Sequence, residues 1–459
     1  MRDATRQSLV ASFQLPSLNL RGPRSLKSRD HAHQAPAVFA SATLQAPAVL
    51  VWATFQAPAG FSSEAAQSAE GTEQMKPLTA PSPVVCQMSG TDPAGRNILA
   101  VLFKVTYAFT SDGRVERAPE QTPLTLPIVN DLENKQLLAA DTDIYPHKVA
   151  TDVVFKGHAY AFDNQSSFDA SLRVGEHKKT IRVVGDRRCS LSSSGQILFS
   201  APEPVTRIPV RYDRAYGGRD TAASAKYGNP LDALRRFLAP ELAALDANPY
   251  DYPRNPAGRG YLIEATPAAI ERLQLPNLED PLDLLTPERL VCGHSESWPN
   301  MPLPQSMDWV GLGWFPRIAY FGIVPEHRPL AALVAEAARG YAPADILESK
   351  PVAQKFDFRC ANGASLGLQV PYLTGGEQIE LLNLHPRRPR FGFRVPVERP
   401  RIWTDGRKGK LNETEPVIHT LLFEPEEDRF SLLWRGSAPA IRPYLPDELS
   451  TMPLRVDLT

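Results

Sequence analysis

The chain has no CxxC pair, no apolar run of bilayer length and no surplus of charge of either sign. Its cysteines, Cys86, Cys189, Cys292 and Cys360, are never closer than 68 residues, which excludes a zinc ribbon and a thioredoxin-type redox pair. Thiols so scattered need no disulfide framework and fit a reducing cytoplasm. The nearest approach to a membrane span, Ala46–Phe55, has only ten residues against the roughly 20 that a spanning helix needs. It follows a long mixed segment rather than a short basic one, so it does not read as a signal peptide. With 50 Lys+Arg against 51 Asp+Glu the formal net charge is -1, which argues against a polybasic nucleic-acid or membrane-surface protein. Neither a P-loop, a GxGxxG nor an HExxH occurs. Sustained helical periodicity is also scarce, and 44 prolines in 459 residues exclude a helical bundle, because proline lacks the amide donor and breaks helix interiors.

What is present is alternation. Leu99, Val101, Phe103, Val105, Tyr107 and Phe109 share one face of a segment whose other face carries Lys104 and Thr106. That period of two predicts a half-buried strand over 98–110. A second strand is predicted over 152–162. Leu172-Arg173-Val174, the turn Gly175-Glu176-His177-Lys178 and Thr180–Val184 predict a hairpin. Further strands are expected at 378–384, 390–397, 417–423 and 429–434, the last with Phe430, Leu432 and Trp434 on one face and Arg429, Ser431 and Arg435 on the other. Helical signals are confined to a Pro-interrupted stretch at 229–245 and a short one at 330–338. The expected fold is therefore mainly β, a β-rich α+β body with antiparallel sheets and a few helical insertions between about 229 and 350. Residues 75–440 form that body and 441–459 a C-terminal tail. Residues 1–74 mix six Lys/Arg with five Asp/Glu and hold no sustained period. They read as a disordered extension, or as an over-long start ahead of Met75.

Three constellations carry possible chemistry. Gly363-Ala364-Ser365-Leu366-Gly367 matches a nucleophile elbow, and Asp405 and His419 follow in the order a serine hydrolase requires. The elbow needs a helix behind it, and LQVPYL after Gly367 is extended and Pro-broken, so a plain turn is expected. Cys292-Gly293-His294 has no second close Cys/His pair in the body. The other close pair, His31 and His33, lies in the extension; a structural loop is expected, and no metal or cofactor. Residues 385–410 hold nine Lys/Arg against two acids, with Phe391, Phe393 and Trp403 interleaved. That is a footprint of single-strand nucleic-acid binding. The alternative is a strand whose Phe391, Phe393, Val395 and Val397 face the core while its arginines are solvated, neutralised by the acidic stretch 413–428.

More idiosyncratic are Arg211-Tyr212-Asp213-Arg214-Ala215-Tyr216-Gly217-Gly218, Asn255-Pro256-Ala257-Gly258-Arg259-Gly260-Tyr261 and Leu275-Pro276-Asn277-Leu278-Glu279. In this order they resemble a bacterial family of type VI secretion accessory proteins long catalogued as a domain of unknown function. Its pattern is R-Y-[DE]-R-A-[FY]-G-G, then N-P-x-G-R-G, then L-P-N-[LI]-E. Lys104–Phe109, Gly157–Ala161, Leu172–Gly175, Val184–Arg187, Pro371–Leu373 and Gly375–Glu377 are similar to it too, so the likeness runs from about Met75 to Trp434. The resemblance implies a cytoplasmic adaptor or chaperone, not an enzyme, that helps load a toxic effector onto a spike protein or PAAR-like tip. The near-neutral charge and the lack of a long apolar run lead to the expectation of no nucleic-acid and no membrane partner. Around Ser365 that family usually carries an acidic or Pro-containing turn, which weakens the hydrolase reading. For Arg211, Tyr212, Arg214, Tyr216, Gly217, Gly218, Asn255, Arg259, Asn277 and Glu279 two readings stay open. They form either a partner-binding surface or internal ion pairs, with Asp213 and Glu279 as anions, holding loops over the sheet.

Overall fold

The computed structural model describes residues 9–12, 83–110, 114–132, 135–228, 250–317, 320, 357–406 and 410–458. β-Branched and aromatic residues with alternating phase place most of them in strands. An eight-stranded sheet runs in the order Leu9–Ser12, Val84–Thr91, Asn97–Phe109, Arg429–Pro439, Val417–Glu424, Thr151–Phe155, Gln369–Val370, with Val115–Arg117 paired to the end of Asn97–Phe109. Its pairs are antiparallel except Leu9–Ser12 beside Val84–Thr91, and Val417–Glu424 beside Thr151–Phe155. A five-stranded sheet follows the order Leu278–Glu279, His177–Val184, Ser167–Val174, Gln378–His385, Arg388–Arg394, antiparallel throughout. The protein is β-rich α+β, with short helices at Thr221–Tyr227, Pro267–Arg272 and Pro446–Thr451.

One apolar core joins the two sheets, drawing Val105, Tyr107, Val153 and Trp434 from the wide sheet and Leu172, Ile181 and Ile379 from the narrow one. Aromatic rings knit them: Phe393 lies 5.0 Å from Phe430 and 5.9 Å from Phe423, and Phe109 meets Phe391 edge-on at 4.9 Å. Such pairs add about 0.5–1.5 kcal/mol each beyond the area they bury.

The hairpin is present as Ser167–Val174 and His177–Val184, closed by Gly175-Glu176 with Gly175 at φ 56°. The strands expected near 378, 390, 417 and 429 are all found. Several expectations are corrected. The strand predicted over 152–162 is split into Thr151–Phe155 and His158–Tyr160, which pair in different sheets. Asn97–Phe109 is not half-buried: its second face holds Ile98, Ala100 and Leu102 in a separate core with Met88, Ile144 and Leu433. There Lys104 is buried and donates to Asp143 at 2.7 Å, and Gln121 bonds the backbone of Thr106 through both ends of its amide, at 2.7 and 3.0 Å. Residues 121–125 and 141–144 thus cover a face that its polar residues mark as solvated in the sequence. Ser431 is buried for the same reason, bonded to Thr122; Arg435 is buried against His419 and Ser437, while Val397, expected inward, is 79% exposed beyond the end of its strand. Within the C-terminal tail, Leu454–Leu458 pairs with Pro400–Asp405. The stretches at 229–245 and 330–338 lie outside the described residues. Between them, residues 250–317 hold one short α-helix, 3-10 turns and two-residue strands.

Candidate functional site

The three idiosyncratic segments interlock at one end of the five-stranded sheet. Arg211 leads into a single 3-10 turn, Tyr212–Arg214, after which Tyr216-Gly217 pairs in parallel with Arg259-Gly260. Asn255 is wholly buried and its Nδ2 donates to the carbonyls of Tyr212 (2.8 Å) and Tyr216 (3.0 Å), while its own carbonyl accepts from Gly218. Arg259 Nε donates to the Asp213 carbonyl at 2.9 Å. Asn277 accepts the Arg259 guanidinium on Oδ1 (3.4 Å), and its Nδ2 donates to Val184 O and Asp186 Oδ1. Glu279 takes the Arg187 guanidinium and the amide of Leu285. Because Leu278-Glu279 also pairs with Arg182-Val183, the loops are anchored to the sheet.

This knot places the ten motif residues plainly. Tyr212, Tyr216, Gly217, Gly218, Asn255, Asn277 and Glu279 are buried, and Arg211, Arg214 and Arg259 partly so. Arg211 and Arg214 both face Asp213, at 3.1 and 3.5 Å. Tyr216, Tyr252 and Tyr261 stack into a second core, where burial pushes the Tyr216 and Tyr261 hydroxyls far above their ordinary titration range. The geometry is that of internal staples.

Gly363–Gly367 forms a turn, with Leu368 N donating to Ser365 O at 2.9 Å and Gln369-Val370 following as strand. Ser365 is 1% exposed. Its hydroxyl donates to Ser306 O (2.6 Å) and accepts from Lys179 Nζ (2.5 Å) and Tyr212 Oη (3.0 Å). His419 lies elsewhere, accepting from Lys148 N and Arg435 Nε, and Asp405 ends a strand of the Pro400–Asp405 sheet. The Ser-His-Asp arrangement is therefore not assembled. Lys179 was missed by the sequence reading, although it shares the inward phase of Ile181 and Val183 and pairs across from Leu172. Burial lowers its amine to about 7, against the weaker opposing pull of Asp280.

That shift has a measurable consequence. The unfolded chain holds a proton on Lys179 up to its ordinary range near 10.5, whereas the folded chain releases it near 7. More protons on the unfolded chain make this group's contribution to stability rise with pH across that window. Urea midpoints of the native protein and of Lys179→Met, measured from pH 7 to 10, should diverge in favour of the native protein as pH rises; parallel profiles would refute the assignment.

Beside Tyr212 lies a cavity of about 130 Å³ lined by Lys156, Arg211, Asp308 and Trp309. Burial raises the Asp308 carboxyl to about 6 despite Lys156 and Arg211. A shallower groove of about 290 Å³ crosses Arg182, Arg187, Phe199 and Leu285.

Cys292 and His294 sit in one loop, where the thiol donates to the His294 carbonyl at 3.0 Å. Among the described residues no group of three or more His, Cys, Asp or Glu is placed to hold a metal ion, and no helix is long and apolar enough to cross a membrane. In the basic segment, Phe391 and Phe393 are buried and Trp403 has the guanidinium groups of Arg401 and Arg455 within 4.6 and 4.9 Å of its ring centroid. Those rings are not open platforms for bases.

Two sheets sharing a core, with three signature segments spent on fixing loops, define a β-rich α+β protein. The chain belongs to a bacterial family described as "uncharacterized protein conserved in bacteria" (DUF2169), which it matches over residues 94–435. No curated protein and no solved structure matches it.

Proposed function

We propose that this chain is a non-catalytic adaptor or chaperone that helps load a toxic effector onto the spike or PAAR-like tip of a type VI secretion system. The observation that carries the reading is the fate of the three segments by which the sequence resembles such accessory proteins. They lock together as one buried knot, which suits a rigid binding scaffold. The single hydroxyl with an elbow-like sequence supports it as well, since Ser365 gives its proton to a backbone carbonyl inside the core. A cargo carrier has to release its load, so its interface is transient, on the order of 1,000–1,600 Å² and rich in arginine and aromatic residues.

The test is affinity capture of the tagged protein from its native host, with effector export measured in a deletion strain. An effector, spike or PAAR-like protein should be recovered, and export should fall when the gene is removed. Recovery of no secretion component under gentle conditions, with export unchanged, would sink the adaptor reading. The same preparation treated with a fluorophosphonate should stay unlabelled; labelling lost in Ser365→Ala would instead establish acyl-transfer chemistry at the Lys179–Ser365 pair.

A further inference from the structure

Arg388–Arg394 is the last strand of the five-stranded sheet and, among the described residues, pairs only with Gln378–His385. Arg388, Pro389, Arg390, Gly392 and Arg394 are exposed, while Phe391 and Phe393 turn into the core. An edge strand presents unpaired amides and carbonyls, and here the exposed Gly392 leaves the backbone uncovered midway along it.

The register gives the charge of the outward face. Arg390, Gly392 and Arg394 stand opposite Leu382, Glu380 and Gln378. Glu380 stands opposite Arg173, which stands opposite Lys178, and Asp169 stands opposite Arg182. Across these strands the face carries the cations Arg173, Lys178, Arg182, Arg390 and Arg394 against the anions Asp169 and Glu380. Asp169 is taken by Arg182 at 2.5 Å and Glu380 by Arg173 at 3.3 Å. Among the described residues no carboxylate pairs with Lys178, Arg390 or Arg394; in the acidic stretch 413–428, Asp428 pairs with Arg387 and Glu413 with Arg401. A local excess of three positive charges thus stands on a protein whose net charge is -1.

We infer that the Arg388–Arg394 edge is a docking strip for an extended acidic segment of a partner protein, which adds to the sheet as a sixth strand. Arginine and proline on an edge discourage pairing with a neutral or basic strand; to an acidic strand the same arginines are complementary. Arg390 and Arg394 lie roughly 13 Å apart on one side of the strand, at about 3.3 Å per residue. The partner should therefore carry carboxylates at positions i and i+4, a small residue at i+2 opposite Gly392, and apolar residues between them toward Phe391 and Phe393. Main-chain bonds supply affinity and the alternate side chains specificity, as in other strand additions. The inference rests on the edge and its charge, and stands apart from the secretion role.

The experiment uses the full chain and a fluorescein-labelled peptide, Ser-Glu-Val-Thr-Val-Glu-Ser, read by anisotropy. It should bind saturably, weaken with added salt, and lose at least about tenfold in affinity, or 1.4 kcal/mol, to Arg390→Glu/Arg394→Glu with the melting temperature unchanged. A peptide methylated on alternate backbone nitrogens should fail. Absence of saturable binding up to about 1 mM, equal binding by the double variant, full binding by the methylated peptide, or tight oligothymidine binding lost in the same variant would each overturn the inference.

Discussion

Replacing Asp152 by alanine is expected to remove most of the protein's stability. The carboxylate is fully buried and serves four donors. Lys148 Nζ (2.7 Å) and Gly363 N (3.1 Å) reach Oδ2, and Asn362 Nδ2 and Ala364 N, both at 3.1 Å, reach Oδ1. Removing one partner of a buried ion pair costs about 3–5 kcal/mol, because the remaining charge stays in the core without compensation. Each stranded amide adds about 1–3 kcal/mol. Against a total of about 5–15 kcal/mol for a typical domain, the variant should yield little soluble folded protein and a urea midpoint far below that of the parent. Asp152→Asn, which keeps one acceptor oxygen, should fall between the two. An unfolding free energy for Asp152→Ala within about 1 kcal/mol of the parent's would show that the site relaxes or hydrates.

Gly217→Ala should be nearly as damaging for a different reason. Gly217 sits at φ 147°, and a Cβ there would stand 2.2 Å from the Asn255 carbonyl oxygen. Backbone strain of about 1–3 kcal/mol and a similar cost for forcing the neighbour aside act together, and Asn255 holds two other carbonyls of the same knot. Gly195→Ala is the matched control: φ is 81°, but nothing lies within 4 Å of the added carbon. It should cost only the conformational term, about 1 kcal/mol. Thermal melts of both variants compare them directly, and equal losses would mean that the knot yields to the methyl group.

The parts of the fold legible in the sequence are those whose signal is local. Alternation located the strands of the hairpin and the phase of Phe391 and Phe393, and Gly175 marked the turn. What sequence reading missed depends on segments remote in the chain. Lys104 and Thr106 look like a solvated face until residues 121–125 and Asp143 are laid across them. Lys179 falls on the apolar phase of its own strand, yet the hydroxyl it meets lies in the turn at Ser365, 186 residues away. The motif residues drew attention because their types are unusual; only the register of Leu278-Glu279 on Arg182-Val183 makes them staples. The elbow-like sequence at Ser365 failed for the reason visible beforehand, the extended residues after Gly367.

The strand order of the wide sheet also bears on how the chain is made. Asn97–Phe109 is flanked on one side by Val84–Thr91 but on the other by Arg429–Pro439, so some 320 residues separate Phe109 from Arg429. At about 5–20 residues per second, a ribosome takes roughly 15–65 s to supply that second neighbour. For this interval one edge of a strongly apolar strand, with Val101, Phe103, Val105 and Tyr107 above it, has no native partner. An edge left open for that long invites misassociation during synthesis, and truncation before Arg429 would remove the strand that closes it.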